Sequence, residues 1–236
     1  FVLPQFQQPY IKLLDDAIAG KSGQLEIQIQ GLNQLERCLE LYSTPLYDTD
    51  HHLSNLLIIA RDITENKRVE LRDNERNRTL ELIASNAPLD QVLLTIIQGI
   101  EQHNTEMVCS ILLLDDEGKH LVHAIAPSLP SFYTAAIDGV AIGDGVGSCG
   151  TAAFTKKPCL VSNIQTHPHW ALFKDLAAKA DLAACWSLPI LSSSKDVLGT
   201  FAIYHHSAHT PSQTEIVEVE KVVALASIAI ERSLSD

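Results

Sequence analysis

Asp144-Gly145-Val146-Gly147-Ser148-Cys149-Gly150-Thr151-Ala152-Ala153-Phe154 is the stretch that decides how this chain is read. It is dense in glycine and then turns abruptly into helix formers. Glycine opens backbone dihedrals barred to other residues and lets a ligand or another segment approach closely. A helix that starts at such a loop presents free N–H groups, a ready anion site. Many loop-to-helix junctions share this pattern, so its neighbours carry the weight. Working outward, these are Pro127-Ser128-Leu129-Pro130 on one side and, on the other, Thr166-His167-Pro168-His169-Trp170-Ala171, Ala184-Cys185-Trp186-Ser187-Leu188-Pro189-Ile190 and Leu198-Gly199-Thr200-Phe201-Ala202-Ile203-Tyr204.

Composition narrows the classes. The chain has 236 residues, 46% hydrophobic and 19% charged, and so has room for one or two domains with a packed core. A net charge of −12 argues against a nucleic-acid surface, and no basic cluster favours anionic lipid. No apolar run approaches the roughly 20 residues of a membrane span. The opening Phe-Val-Leu-Pro lacks a charged region before an apolar stretch and does not read as a signal peptide. It also lacks an initiator Met, and the expectation is a piece excised from a longer protein. Cys38, Cys109, Cys149, Cys159 and Cys185 form no C-x-x-C pair or zinc spacing. The expectation is reduced, buried thiols in a cytoplasmic protein, with no metal site.

Hydrophobic spacing gives the elements. A helix is expected over 8–19, then strands over 24–30, 35–43 and 53–61, with Gly31-Leu32-Asn33 and the polar stretch from Pro45 to His52 as turns. Residues 65–85 lack Gly and Pro and carry only a thin apolar stripe (Val69, Leu80, Leu82, Ile83), the pattern of a solvated or self-pairing helix. An amphipathic helix follows over 89–103. Strands 107–114 and 119–125 join through the turn Asp115-Asp116-Glu117-Gly118. A short helix near 130–137, helix 149–156, strand 159–162, helix 171–180 and strands 183–190 and 197–204 come next. The last element is a helix over 212–233, capped by Ser212 and apolar over more of its circumference than one sheet face needs, so a second subunit is expected on it.

The motifs quoted around the glycine run resemble a bacterial GAF domain, over roughly the last three-fifths of the chain. The helix, three strands and terminal Asp62-Ile63-Thr64-Glu65 resemble the second half of a PAS domain, whose opening half is missing. The fold class is therefore α+β: a partial PAS-like antiparallel sheet over 1–65, a helical linker over 66–88 and a GAF domain over 89–236. The resemblance implies a sensory module that binds a small ligand among Tyr133, Asp144, Gly147, Cys149, Trp170, Cys185 and Trp186. Trp170 and Trp186 lie in segments that border the ligand cavity in that family, and an indole stacks on planar ligands. Each also has a plain reading as a core aromatic, and Cys149 as a small packing residue.

The same family includes free methionine-(R)-sulfoxide reductase, with a cysteine at a similar Gly-Val-Cys-Gly-Thr-Ala junction. Here Cys149 follows two extra residues, and Cys185 is the nearest counterpart of a second thiol. Helix-terminal thiols are often acidic, but a redox cycle needs a resolving cysteine within reach. His167 and His169 read as surface residues beside the turn formers Asn163 and Thr166. His205, His206 and His209 read as solvated. Helix 8–19 holds no histidine, so the haem ligand of some PAS relatives is absent there. No hydrolase, phosphate-loop, Gly-Gly-Asp-Glu-Phe, Glu-Ala-Leu or phosphoacceptor-histidine motif occurs, and no catalytic residue is expected. The resemblance points to the sensor region of a signalling protein, controlling a cyclic-di-GMP cyclase or phosphodiesterase (GGDEF or EAL) output, or a histidine kinase. The expected partners are an unidentified small ligand and a second copy, through helices 66–85 and 212–233. Neither nucleic acid nor membrane is expected, and the cofactor is unknown.

Overall fold

The computed structural model describes residues 2–31, 36–104 and 106–235. The expected turn residues Leu32 and Asn33 lie outside them. The chain divides into two compact units, 1–74 and 75–236. The division falls inside α2, a continuous helix over Thr64–Ala84.

In the first unit, α1 (Pro4–Ile18) leads to β1 (Gly23–Gln30), β2 (Glu36–Tyr47) and β3 (Leu53–Asp62), an antiparallel sheet in that order. Leu13 and Ala17 of α1 bury against Ile27 and Leu41. The sequence predicts the end of β2 near residue 43; it runs on through Pro45 to Tyr47. β1 stops opposite Ser43, so β2 beyond Thr44 is paired on one side only. That is where a strand tolerates the missing N–H of proline. At the exit of β3, Asp62 accepts the Thr64 backbone N–H (3.0 Å) and the Arg37 guanidinium (2.7 Å). Bonds from Thr64, then Arg37, hold its carboxyl down to about 2. The Asp-Ile-Thr segment thus ends a strand and starts a helix in three residues.

The second unit is a six-stranded antiparallel sheet in the order β6-β5-β4-β9-β8-β7, with helices on both faces. Its strands are β4 (Met107–Leu114), β5 (His120–Ile125), β6 (Val140–Ala141), β7 (Cys159–Val161), β8 (Ala184–Leu191) and β9 (Val197–His205). β4, β8 and β9 are buried almost throughout, as expected of strands covered on both sides. The pleat sorts their side chains. Met107, Cys109, Ile111, Trp186, Leu188, Ile190, Phe201 and Ile203 meet α3 (Leu89–His103) and α7 (Gln213–Ser235). Val108, Leu112, Cys185, Ala202 and Tyr204 meet α4 (Ser131–Ile137), α5 (Gly147–Thr155) and the segment around Trp170.

α3 forms because Val92, Leu93, Ile96 and Ile97 recur at helical spacing, and all four are buried. Each contributes about 1.5–3 kcal/mol of transfer free energy before entropy is counted. α7 opens with a capping box: Ser212 Oγ accepts the Glu215 N–H (3.2 Å), and Glu215 accepts the Ser212 N–H (2.7 Å). Near its end, Arg232 donates to the Ile83 carbonyl and to Asn86 Oδ1, tying α7 to the chain just before α3. The helix expected over 171–180 is shorter. A 3₁₀ turn at Pro168–Trp170 comes first, and α6 spans Lys174–Lys179.

Gly199 of β9 lies tight against the backbone of β4. A Cβ built there lies 2.2 Å from the Leu112 carbonyl oxygen, with no flexible side chain to yield. Gly199→Ala is expected to destabilise the sheet by about 1–3 kcal/mol. Thermal unfolding reads this as a fall of about 2–4 °C per kcal/mol; an unchanged midpoint would show that β4 and β9 separate freely.

Candidate functional site

The glycine run forms a strap over one face of the second sheet. Gly145 (φ +77°) and Gly147 (φ +57°) hold left-handed dihedrals on either side of Val146, a conformation that disfavours any side chain there. Gly143 N–H reaches the Gly150 carbonyl (3.2 Å), closing the strap onto the first turn of α5. Next, Ser148 pins that turn to the sheet. Its hydroxyl accepts the Trp170 Nε1–H (2.9 Å) and donates to the Cys185 carbonyl (3.3 Å). One side chain therefore links α5, the 3₁₀ turn and β8.

A cavity lies under the strap, lined by Tyr133, Gly147, Cys149, Trp170, Phe173 and Tyr204 among others. Its free volume is about 30 Å³, room for about one water-sized molecule. Aromatic rings fill the rest: Tyr133 meets Tyr204 edge-on at 5.7 Å, and Trp170 meets Phe173 edge-on at 6.4 Å. No charged side chain lines it among the described residues. The helix start at α5 is therefore not an open anion site, as the glycine run alone suggested.

The floor of this region is unusual for a buried sheet face. Ser110, Cys185, Ser187, Thr200 and Tyr204 all project from the α5 side of β4, β8 and β9, set by the register pairs Ser110↔Ala202, Cys185↔Tyr204, Ser187↔Ala202 and Pro189↔Thr200. Ser110 Oγ and Tyr204 OH share a hydrogen bond (3.4 Å). The Cys149 thiol is drawn down to about 7, first by the Cys185 thiol and then by the hydroxyls of Ser187, Thr200 and Tyr204, against its burial. Burial and the neighbouring Cys149 push Cys185 well above the ordinary thiol range.

The expected site residues divide. Tyr133, Gly147, Cys149 and Trp170 line the cavity, whereas Cys185 does not; it is fully buried in the same core cluster, with its carbonyl held by Ser148. Asp144 is exposed on the strap and does not line the cavity. Trp186 corrects the sequence reading: its side chain points to the opposite sheet face and packs with α3 and α7, because the pleat sends neighbours 185 and 186 to opposite sides. His205, expected in solvent, is buried on that same face at 5% exposure. Its ring packs at a tilt against Trp186 (4.4 Å) and His209 (4.6 Å). His209 in turn pairs with Glu215 of α7 (3.0 Å). His169, expected at the surface, is half-buried, with Nδ1 3.7 Å from Cys159 Sγ. Phe173, Ser187 and Thr200 escaped the sequence reading. Strict alternation from Trp186 and Phe201 is the signal that finds the two hydroxyls.

A GAF domain family profile matches residues 86–231, and the chain belongs to that family. Over 173 residues the chain is 40% identical to the methyl sulfide methyltransferase-associated sensor of Methanosarcina acetivorans. That match covers 73% of this chain and spans 17% of that relative's length. Among solved structures, the GAF domain of the Coxiella burnetii phosphoenolpyruvate-protein phosphotransferase superposes with a TM-score of 0.57 at 16% identity, covering 70% of this chain and 95% of that one. Residues 122 to 287 of a methyl-accepting chemotaxis protein give 0.55 at 18%, covering 67% and 95%. Free methionine-R-sulfoxide reductase of Neisseria meningitidis gives 0.53 at 15%, covering 67% and 87%. At these identities the likeness speaks for the fold. The family is a sensor domain of signalling proteins, and the Methanosarcina relative is itself a sensor.

The buried imidazole sets a pH dependence. Burial, then His209, pushes His205 down to about 4 in the folded state, below its ordinary 6.5. The unfolded chain therefore binds more protons between these values, so stability falls as pH drops from about 6.5 towards 4 and is unaffected by this group above that window. In urea unfolding across that window, His205→Phe is expected to flatten the pH slope relative to the parent chain. An unchanged slope would place the titration elsewhere.

Proposed function

We propose that this chain is the sensory region of a signal-transduction protein, with a small neutral ligand entering beneath the strap 143–150. The observation that carries the reading is a cavity walled by Tyr133, Trp170, Phe173 and Tyr204 and bordered by Gly147 of the strap in a left-handed conformation. Its walls are apolar and aromatic with a few hydroxyls, the make-up of small-molecule sites. The free space is small, so anything larger than one or two waters requires the strap and Trp170 to move. A ligand then shifts the open–closed balance only by its differential affinity for the two states.

The reading continues through the helices. Ile228 and Leu234 of α7, and Val69 and Leu71 of α2, are exposed apolar side chains. We assign them to a homodimer along α2 and α7, which passes the change to an output domain of the cyclic-di-GMP or histidine-kinase type. Residues 1–65 are taken as part of a PAS-like domain. The apolar β3, of which Leu56 alone among its ten residues is even half-buried, supports further covering structure there. Aqueous, cytoplasmic surroundings fit the five free thiols.

Native mass spectrometry of the chain purified from its source cells tests this. The expected result is a bound small molecule retained by the parent chain and lost or weakened about tenfold or more in Trp170→Ala. Equal retention by Trp170→Ala would remove the cavity as the site. Parallel incubation with free methionine sulfoxide and dithiothreitol tests the thiol-enzyme alternative; turnover abolished by Cys149→Ser would replace the sensor reading.

A further inference from the structure

Two hydroxyls are buried on the cavity side of the second sheet with nothing to bond. Ser187 on β8 and Thr200 on β9 are each 0% exposed. Among the described residues, neither Ser187 Oγ nor Thr200 Oγ1 has a hydrogen-bond partner. Buried polar groups are almost always bonded, and one left bare costs stability. A face built only for packing would carry Ala and Val at these two positions.

Strand register sets both hydroxyls beside the cavity. Leu112 and Tyr204 line its free volume. Leu112 is paired with Thr200, and Tyr204 lies farther along the same strand on the same face. Directly opposed residues of an antiparallel pair hold their Cβ atoms about 4.5–5.5 Å apart, so Thr200 adjoins a lining side chain. Ser187 stands in the next row, opposite Ala202, which falls between Thr200 and Tyr204 on β9. The small Ala202 is paired on its other side with Ser110, whose hydroxyl is already shared with Tyr204. Above this patch α5 packs on β8 and β9, and its residues 147–153 are all small and buried. Neither Ser187 nor Thr200 lines the free volume itself. The movement of the strap and the first turn of α5 that a larger occupant requires is what uncovers them.

We infer that the molecule taken up beneath the strap is small, uncharged and amphiphilic, with an apolar or aromatic body against Tyr133, Trp170 and Phe173 and one hydroxyl, carbonyl or amide group on Ser187 and Thr200. The inference rests on the ligand site proposed above and names its chemical class. A hydroxyl both donates and accepts, so the pair serves any of these groups. An ion is disfavoured: no charged side chain lines the cavity among the described residues, and an isolated buried charge costs far more than two hydroxyls return. A wholly apolar molecule is disfavoured too, because it leaves both hydroxyls unmet. Sites with buried polar groups reject the analogue that lacks the matching group. Binding thus supplies the partner that folding withholds, so the two hydroxyls lower the stability of the free protein and raise its affinity.

The test titrates the whole chain at neutral pH with three probes of similar size, phenol, toluene and benzoate, followed by amide NMR shifts. Phenol is expected to bind about tenfold or more tightly than toluene, and benzoate more weakly than phenol. Thr200→Val and Ser187→Ala are each expected to weaken phenol about fivefold and to leave toluene unchanged. Without any probe, each substitution is expected to raise the unfolding midpoint by about 2–4 °C, since it removes an unmet hydroxyl. A hydroxyl with a purely structural role would lower it instead. Equal affinity for phenol and toluene, benzoate as the tightest probe, or a lowered midpoint in both variants would overturn the proposal. Trp170→Ala separates this from the site itself. Toluene binding lost in Trp170→Ala, with no advantage to phenol in the parent chain, would keep the cavity and strike only the class assigned to it. Probes that bind Trp170→Ala as well as the parent, or that bind neither, would remove the cavity and the class together.

Discussion

The second unit depends on three neighbouring strands, β4, β9 and β8, being covered on both faces. A strand in that position has no solvated side on which to place a polar residue, so every polar group there must be satisfied or serve some purpose. Alternation then divides the work. One face is a plain apolar contact with α3 and α7, centred on Phe201, Ile203 and Trp186. The other carries thiols and hydroxyls under a glycine strap. The two faces share one backbone, so whatever shifts the strap acts on strands that also contact α7.

Ser148 and Trp170 decide how closed the cavity is. The indole N–H needs an acceptor when buried, and Ser148 supplies it while also donating to β8. The strap is thus held from inside, by two hydrogen bonds, rather than by bulk. Each such bond is worth about 0.5–1.5 kcal/mol net. Opening is therefore within reach of a ligand that compensates a few kcal/mol.

On the far face, α7 is anchored at both ends. At its start, Glu215 caps Ser212 and pairs with His209, whose ring stacks on Trp186. Further along, Glu231 accepts from Ser193, and Arg232 reaches Ile83 and Asn86. Ile228 and Leu234 remain exposed between and beyond these ties. The helix is therefore fixed relative to its own sheet while offering an apolar stripe outward. Its apolar breadth, visible in the sequence as more residues than one face can bury, is split in the structure between core and surface.

Local pattern alone determined a good deal. The glycine run fixed a strap entering a helix, since only glycine holds positive φ at 145 and 147 without strain. Short turn signals and apolar periodicity placed the strands and the three amphipathic helices α1, α3 and α7, because these depend on residues a few positions apart. Tertiary structure decided which side of each buried strand faces the cavity. Trp186 and Cys185 are adjacent in an apolar run, and nothing within that run says which points to α5. His205 looked solvated at a strand end and is buried against Trp186 and His209. Ser187 and Thr200 come from two strands and meet only through the register of β8 on β9. Strands covered on both faces lose the polar–apolar alternation that marks a half-exposed one, so their orientation is set by the long-range pairing of β4, β9 and β8.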